Sequence, residues 1–134
     1  MKLVVADASA IAEYLFQTRR GIQLTPLLEA AEHDLHVPSL CDVEVSAVVR
    51  RALLQHRLDQ GRAVEVLADY QALPLSRHGH LALMPRILGL RANFTAYDAT
   101  YVALAERLEA SFVTADGRLA RAIAAHLNVP ILAS

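Results

Sequence analysis

The chain has 134 residues, of which 54% are hydrophobic and 20% are charged, and its formal net charge is −1. This length and composition exclude an intrinsically disordered chain and are sufficient for one domain with a buried core. A net charge near zero provides no global basic field for nucleic acid, and no apolar run is long enough to span a membrane. The first residues also lack a signal-peptide pattern. We therefore expect a single cytoplasmic domain over residues 1–134.

The alternation of short β-like runs with helical ones is typical of an α/β fold with a mainly parallel sheet. In the first half, the predicted elements are a strand over residues 3–6, helices over 11–16 and 24–32, a strand over 35–38 and a helix over 39–56. Ser39 and Asp42 match the S-x-x-D capping box, which indicates that the last of these helices begins at Ser39.

The second half continues the same alternation. Its predicted elements are a helix over residues 59–71, a short edge strand over 73–75, helices over 80–90 and from 95, a strand over 111–113, a helix over 118–127 and a last strand over 129–132. Thr95 and Asp98 form a second capping-box match, whereas Pro85 weakens the helix over 80–90. The helix from residue 95 carries an apolar stripe formed by Tyr97, Tyr101, Leu104, Ala105 and Leu108.

The single cysteine, Cys41, excludes an internal disulfide, and we expect it to be a buried core residue. The six histidines show no zinc-binding spacing, and His78 and His80 are predicted to lie in a surface loop. Lys2 is the only lysine among the 13 basic residues, so twelve are arginines. Arginine pairs well with phosphate, but a GC-rich genome would also produce this bias, so it supports an RNA partner only weakly.

Four acidic residues lie where predicted strands and helices meet. Asp7 and Asp116 each end a strand, and ligands of parallel sheets bind at the carboxyl ends of the strands. Glu44 follows the second strand through a tight turn, and Asp98 opens the helix that leads to the strand ending at Asp116. Carboxylates that converge beside apolar surface are costly unless a cation neutralises them, and oxygen ligands suit Mg²⁺ or Mn²⁺. The pattern predicts a metal-dependent enzyme.

Each of these acids also has a local structural explanation. Asp98 fits the third position of its capping box, Asp116 fits a helix N-cap, Asp7 fits a turn, and Glu44 fits a solvated helix position. These explanations leave open why every strand end at the same edge of the sheet carries an acid.

Four polar residues near the acids are candidates for supporting roles. Ser9 and Thr114 each lie two residues from an aspartate, so their hydroxyls could orient a carboxylate or hold a metal-bound water. Arg91 and Asn93 precede the Asp98 helix and could bind a phosphate.

The segments that carry these acids resemble those of the PIN-domain ribonucleases, in particular the VapC toxins of VapBC toxin–antitoxin systems. The matching segments are VVADAS at residues 4–9, PSLCDVE at 38–44, TAYDATYVALA at 95–105 and VTAD at 113–116. The T-A-Y-D-A segment together with the terminal T-x-D is specific, whereas the first D-x-S alone would be weak. The resemblance spans essentially the whole chain.

The resemblance implies a three-layer α/β/α domain with a central, mainly parallel sheet of about five strands. It also implies a Mg²⁺-dependent endoribonuclease, with Mn²⁺ able to substitute, that forms a homodimer and is silenced by a cognate VapB-type antitoxin. Asp7, Glu44, Asp98 and Asp116 match the four acidic positions of the family. Ser9 matches one of its supporting hydroxyls, and Thr114 matches the other.

Two other classes of protein with aspartates at the strand ends of a parallel sheet are inconsistent with these residues. A receiver-type signalling domain needs an adjacent acidic pair after the first strand and a late lysine, and a haloacid-dehalogenase-like phosphatase needs an aspartate where Ser9 stands. Both are excluded by these residues. A PIN nuclease of RNA processing that is not a toxin stays open, as does a noncatalytic PIN scaffold that only binds RNA or protein. The intact acidic set disfavours the scaffold.

Overall fold

A computed structural model describes residues 1–133. Its central sheet has five strands, which are β1 (Lys2–Ala6), β2 (His33–Pro38), β3 (Ser76–His78), β4 (Ser111–Val113) and β5 (Ile131–Ala133). Their order in the sheet is β3-β2-β1-β4-β5, and every neighbouring pair is parallel. This confirms the predicted α/β class with its parallel sheet of five strands.

The register brings the ends of the central strands to one edge of the sheet. Ala6 at the end of β1 pairs with Val113 at the end of β4, and Pro38 at the end of β2 pairs with His78. The residues that follow these strand ends, including Asp7, therefore emerge at the same edge, which we call the carboxyl edge.

Seven helices accompany the sheet in the described residues. They are α1 (Ala8–Phe16), α2 (Arg19–Leu28), α3 (Leu40–Leu54), α4 (Gln60–Ala72), α5 (Met84–Gly89), α6 (Ala96–Leu108) and α7 (Gly117–His126). A 3-10 turn over Leu81–Leu83 leads into α5, and Pro85 lies in the first turn of that helix. Proline is tolerated there because the first N–H groups of a helix have no partner within it.

Side-chain caps define where several helices begin. Thr95 accepts a hydrogen bond from the Asp98 N–H at 3.1 Å, which confirms that this helix is capped by Thr95. The capping box predicted for Ser39 and Asp42 is wrong, because Ser39 makes no side-chain cap. Its hydroxyl donates instead to the carbonyl of His78, and Asp42 accepts from the side chains of two distant residues described below.

Four other predictions differ from the structure. The second helix runs over Arg19–Leu28 and not over 24–32, since pairing with β1 makes residues from His33 a strand. The edge strand is β3 and not 73–75, because Ser76–His78 pair with β2. Consequently His78 belongs to a strand, where its Nε2 lies 2.8 Å from His36 Nδ1. Tyr97 is 61% exposed, so the apolar stripe of α6 begins one turn later.

The core forms around the sheet and helix α6. Residues 99–105 of α6 are all buried, so this helix is covered on every side. A helix that is apolar all round is typical of the interior of an α/β domain. Cys41 is fully buried as predicted. No helix in the described part of the chain is long and apolar enough to cross a membrane.

Candidate active site

The carboxyl edge of the sheet places Asp7 at the centre of a hydrogen-bond network. Asp7 directly follows β1, caps α1 and is only 5% exposed. Its carboxylate accepts hydrogen bonds from the Ser9 hydroxyl at 2.7 Å, the Ala10 N–H at 3.0 Å and the Thr114 hydroxyl at 2.5 Å. Both hydroxyls noted in the sequence therefore contact the same aspartate, and its orientation is defined from three sides.

The same two hydroxyls join the segment after β1 to the segment after β4. Ser9 Oγ accepts from the Ala115 N–H at 3.0 Å, and Thr114 Oγ1 accepts from the Asp116 N–H at 2.9 Å. Asp116 in turn caps α7, since it accepts hydrogen bonds from the backbone N–H groups of Arg118 and Leu119. Asp7 and Asp116 are thus helix caps as well as members of the acidic set, and the two explanations are compatible.

Asp98 interacts electrostatically with each of the other three acids. Burial and the negative charge of Asp116 raise the pKa of Asp98, while the positive charge of Arg118 acts in the opposite direction. The charge of Asp98 contributes to raising the pKa of Asp7 and that of Glu44, although burial is the largest cause for both. Asp98 therefore lies within charge range of each of the other three acids.

Glu44 reaches this cluster from the second turn of α3 and is partly buried. Its Oε1 atom is buried without a hydrogen-bond partner in the described residues, and so is the hydroxyl of Tyr101. That hydroxyl approaches the Glu44 carboxylate and lowers its pKa against the larger effect of burial, but the contact lacks hydrogen-bond geometry.

The donor set fits a hard divalent cation in its chemistry. Burial and mutual repulsion disfavour the ionised forms of Asp7, Glu44 and Asp98, and a bound cation would reverse this. The Glu44 carboxylate also has one buried oxygen that no hydrogen bond within residues 1–133 satisfies. As the side chains stand, however, no group of three or more His, Cys, Asp or Glu among residues 1–133 is arranged to hold a metal ion.

The two candidate phosphate ligands lie apart from these contacts. Arg91 and Asn93 are both exposed, and the Arg91 guanidinium donates to the Leu88 carbonyl at 3.1 Å. Arg118 and Tyr101 were missed by sequence reasoning. The position of Arg118 two residues after Asp116 was a usable signal, whereas Tyr101 read as one more member of an apolar stripe.

The raised pKa of Asp98 predicts a pH-dependent difference between the metal-free protein and an Asp98→Asn variant. A carboxyl group whose pKa is raised by folding stabilises the folded state below its usual value of 3.8, and this contribution is lost as the pH rises through the folded pKa. The variant has no such loss. We expect the melting temperature of the variant, minus that of the parent protein, to increase as the pH rises above about 4. Both are measured in EDTA. A constant difference from pH 4 to 8 would contradict this.

Comparisons with known proteins show which family the chain belongs to. A family model described as the PIN domain matches residues 4–124. Ribonuclease VapC9 of Mycobacterium tuberculosis is 41% identical over 117 residues, which cover 87% of this chain and 88% of that protein. Ribonuclease VapC12 of the same organism is 30% identical over 131 residues, with coverages of 98% and 100%.

The fold itself matches a solved structure at much lower identity. The crystal structure of VapBC2 from Rickettsia felis, bound to a DNA fragment from their promoter, superposes with a TM-score of 0.71. The match covers 98% of this chain and 98% of that chain, at 12% identity. At this low identity, the superposition shows a common fold and nothing more.

Proposed function

Because the chain belongs to the PIN-domain family and to its VapC ribonucleases, we propose that it is a divalent-metal-dependent endoribonuclease and the toxin of a type II toxin–antitoxin system. The observation that carries this proposal is that Asp98 interacts with the carboxylates of Asp7, Glu44 and Asp116, and that Asp7 follows a strand end at the carboxyl edge of a parallel sheet. Residues 1–134 would act as a single domain in the cytoplasm.

The acidic residues Asp7, Glu44, Asp98 and Asp116 would hold Mg²⁺, or Mn²⁺ in its place. When bound, the cation lowers the pKa of a water molecule and offsets negative charge on the phosphate that is attacked. Ser9 and Thr114 maintain the orientation of Asp7 through their hydrogen bonds. Without a cation, the carboxylates would repel a polyanionic RNA, so we expect the metal to be needed for both binding and cleavage.

The direct test is cleavage of end-labelled total RNA by the purified protein with Mg²⁺, with Mn²⁺ and with EDTA. Cutting that needs a divalent cation, with fragment ends at defined positions, would support the endoribonuclease. RNA binding without cleavage in either metal would instead support the noncatalytic scaffold.

Arg118 is the best-placed side chain to attract the RNA backbone to the acidic cluster. It is exposed, it has no ion-pair partner among residues 1–133, and its charge acts on Asp98. Arginine binds phosphate bidentately, and a cation here would offset the repulsion between carboxylates and RNA. We propose Arg118 as a phosphate contact together with Arg91 and Asn93.

We expect Arg118→Ala to weaken the binding of a labelled single-stranded RNA about three- to tenfold and to reduce the salt dependence of binding by about 0.7 in log–log slope. The measurement is fluorescence anisotropy in an Asp98→Asn background with Mn²⁺, so that the RNA stays intact. Arg19→Ala is the matched control, because Arg19 is exposed and follows helix α1, whose nine residues lead about 13 Å away from the carboxyl edge. Equal affinities for the Arg118→Ala and Arg19→Ala variants would contradict the proposal that Arg118 contacts RNA. Arg91→Ala is tested in the same way.

The partner of the toxin would be a VapB-type antitoxin that blocks the acidic cluster. The similarity to a VapBC2 structure supports this partner. Expression of the chain alone in a bacterial host should arrest growth, and co-expression of a cognate VapB-type antitoxin should relieve the arrest. Metal-dependent cleavage in vitro without any arrest would favour an RNA-processing nuclease that is not a toxin.

We also propose that the chain forms a homodimer. Leu81, Met84 and Leu88 follow each other at helical spacing and are 82%, 58% and 65% exposed. Association of two copies would remove this apolar surface from water. Light scattering of the purified protein checks the proposal, and a monomeric mass at micromolar concentration would contradict it.

A further inference from the structure

Tyr101 lies under the acidic cluster with a hydroxyl that no other group satisfies. It is one turn after Asp98 on helix α6, so both side chains lie on the same side of that helix. Its side chain is 2% exposed and is among the largest that are fully buried. Buried hydroxyls almost always have a hydrogen-bond partner, yet the Tyr101 hydroxyl has none in the described residues.

The second buried atom without a hydrogen-bond partner is a carboxylate oxygen of Glu44, which could accept the Tyr101 proton. Oε1 of Glu44 is buried and also without a partner, although Glu44 is on a different helix, α3. A phenol hydroxyl has one proton to donate, and an ionised carboxylate can only accept. The Tyr101 hydroxyl oxygen and Glu44 Oε1 are the two buried side-chain atoms without a partner in residues 1–133, and each group acts on the other's pKa, as expected for neighbouring side chains.

Cys41 and the groups around it are poorer partners for the Tyr101 hydroxyl. The hydroxyl of Tyr70 already donates to Asp42 at 2.6 Å, and the Arg77 Nε donates to the same carboxylate oxygen at 2.8 Å. The Cys41 thiol is close to Tyr101 but is a weak acceptor. Glu44 is therefore the strongest acceptor available to the Tyr101 hydroxyl.

We propose that Tyr101 is a positioning residue for Glu44. The Tyr101 hydroxyl donates a hydrogen bond to the buried Glu44 oxygen and thereby orients the Glu44 carboxylate towards the proposed metal. This inference rests on the proposed metal-dependent function. Hydrogen bonds that orient metal-binding carboxylates commonly contribute about 10- to 100-fold to metal affinity.

The test is the Mn²⁺ concentration that produces half of the full thermal stabilisation of the protein. We expect Tyr101→Phe to raise this midpoint at least about tenfold. Tyr70→Phe is the matched control, because it removes a buried phenol hydroxyl that is bonded to Asp42 and not to Glu44. This control should change the melting temperature and leave the Mn²⁺ midpoint within about twofold of the parent. Equal shifts in the two variants would mean a general loosening of the core and would overturn the proposal.

A double-mutant cycle identifies Glu44 as the group through which Tyr101 acts. Glu44→Met removes the acceptor and should itself raise the midpoint, and adding Tyr101→Phe should then have little further effect. If Glu44→Met shifts the midpoint and Tyr101→Phe does not, only the positioning role is overturned. If the parent protein shows no stabilisation by Mn²⁺, the metal-dependent function fails and this inference fails with it.

If Tyr101→Phe does not fold, two variants of the partner test the same hydrogen bond. Glu44→Gln keeps an acceptor for the Tyr101 hydroxyl, and Glu44→Met removes it at similar volume. The proposal predicts a higher melting temperature for the Gln variant. An equal or higher melting temperature for the Met variant would overturn it.

Discussion

Asp98→Asn is expected to reduce RNA cleavage by at least about 100-fold while the protein stays folded. The substitution removes the charge that acts on both Asp7 and Glu44, and the proposed metal site would lose one of its four carboxylates. The asparagine also relieves the repulsion with Asp116 that raises the pKa of Asp98. Without metal, the variant should therefore melt at the same temperature as the parent or slightly higher.

Cleavage of end-labelled RNA and a thermal melt, made on the same preparation, check this prediction. Asp69→Asn is the control, because Asp69 is an exposed acid of α4 whose side chain is 61% exposed. This control should cleave like the parent. Full activity in Asp98→Asn would refute the assignment of the site, and so would an equal loss in both variants. Asp7→Asn should also abolish cleavage, but Asp7 is a helix cap with three donors, so Asp98 provides the clearer separation of activity from folding.

Gly21→Ala should lower the free energy of unfolding by about 2–3 kcal/mol or more. Helices α1 and α2 approach so closely at Gly21 that an added Cβ would lie 1.9 Å from the Glu13 carbonyl oxygen and 2.9 Å from the Tyr14 Cα. Both contacts are with backbone, which cannot move aside as a flexible side chain can. Alanine is the better helix former by about 1 kcal/mol, but this gain is smaller than the cost of separating the two helices. The melting temperature should fall on the order of 10 °C.

Gly61→Ala is the matched control for this prediction. Gly61 is also a helical glycine, near the start of α4, but the nearest atom to an added Cβ is the Asp59 side chain at 3.5 Å. Here the alanine restricts the unfolded chain at no steric cost, so we expect a gain of about 0.4–1 kcal/mol. Denaturant unfolding of both variants measures the two effects. A Gly21→Ala protein as stable as Gly61→Ala would show that α1 and α2 are not packed as closely as described.

Local patterns in the sequence were enough to predict the α/β class and most of the helices and strands. Alternation of strands and helices predicted a parallel sheet, and such a sheet brings the ends of its strands to one edge. Asp7 and Asp116 could be placed there because each directly follows a run of buried strand residues. The cap by Thr95 was also predictable, since its hydroxyl and the Asp98 N–H are only three residues apart.

Predictions based on neighbours in the sequence were wrong where a residue binds a partner that is distant in the chain. Asp42 looked like the partner of Ser39, but Tyr70 and Arg77, which are 28 and 35 residues away, bind its carboxylate instead. The edge strand was placed over 73–75 because those residues are apolar, whereas an edge strand is solvated on one side and can be polar, as Ser76–His78 are.

The α/β class, the candidate acids and the two hydroxyls follow from the sequence, because each depends on residue type and short-range spacing. Which groups meet across the fold depends instead on the packing of helices and strands that are distant in the chain. Periodicity gives Tyr97 and Tyr101 the same helical face, and only packing buries Tyr101 and leaves Tyr97 exposed. The approach of Tyr101 to Glu44 joins residues 57 positions apart on two helices, and the contact of Gly21 with α1 depends on how two helices cross. Such contacts follow from the three-dimensional path of the chain, which short-range patterns do not contain.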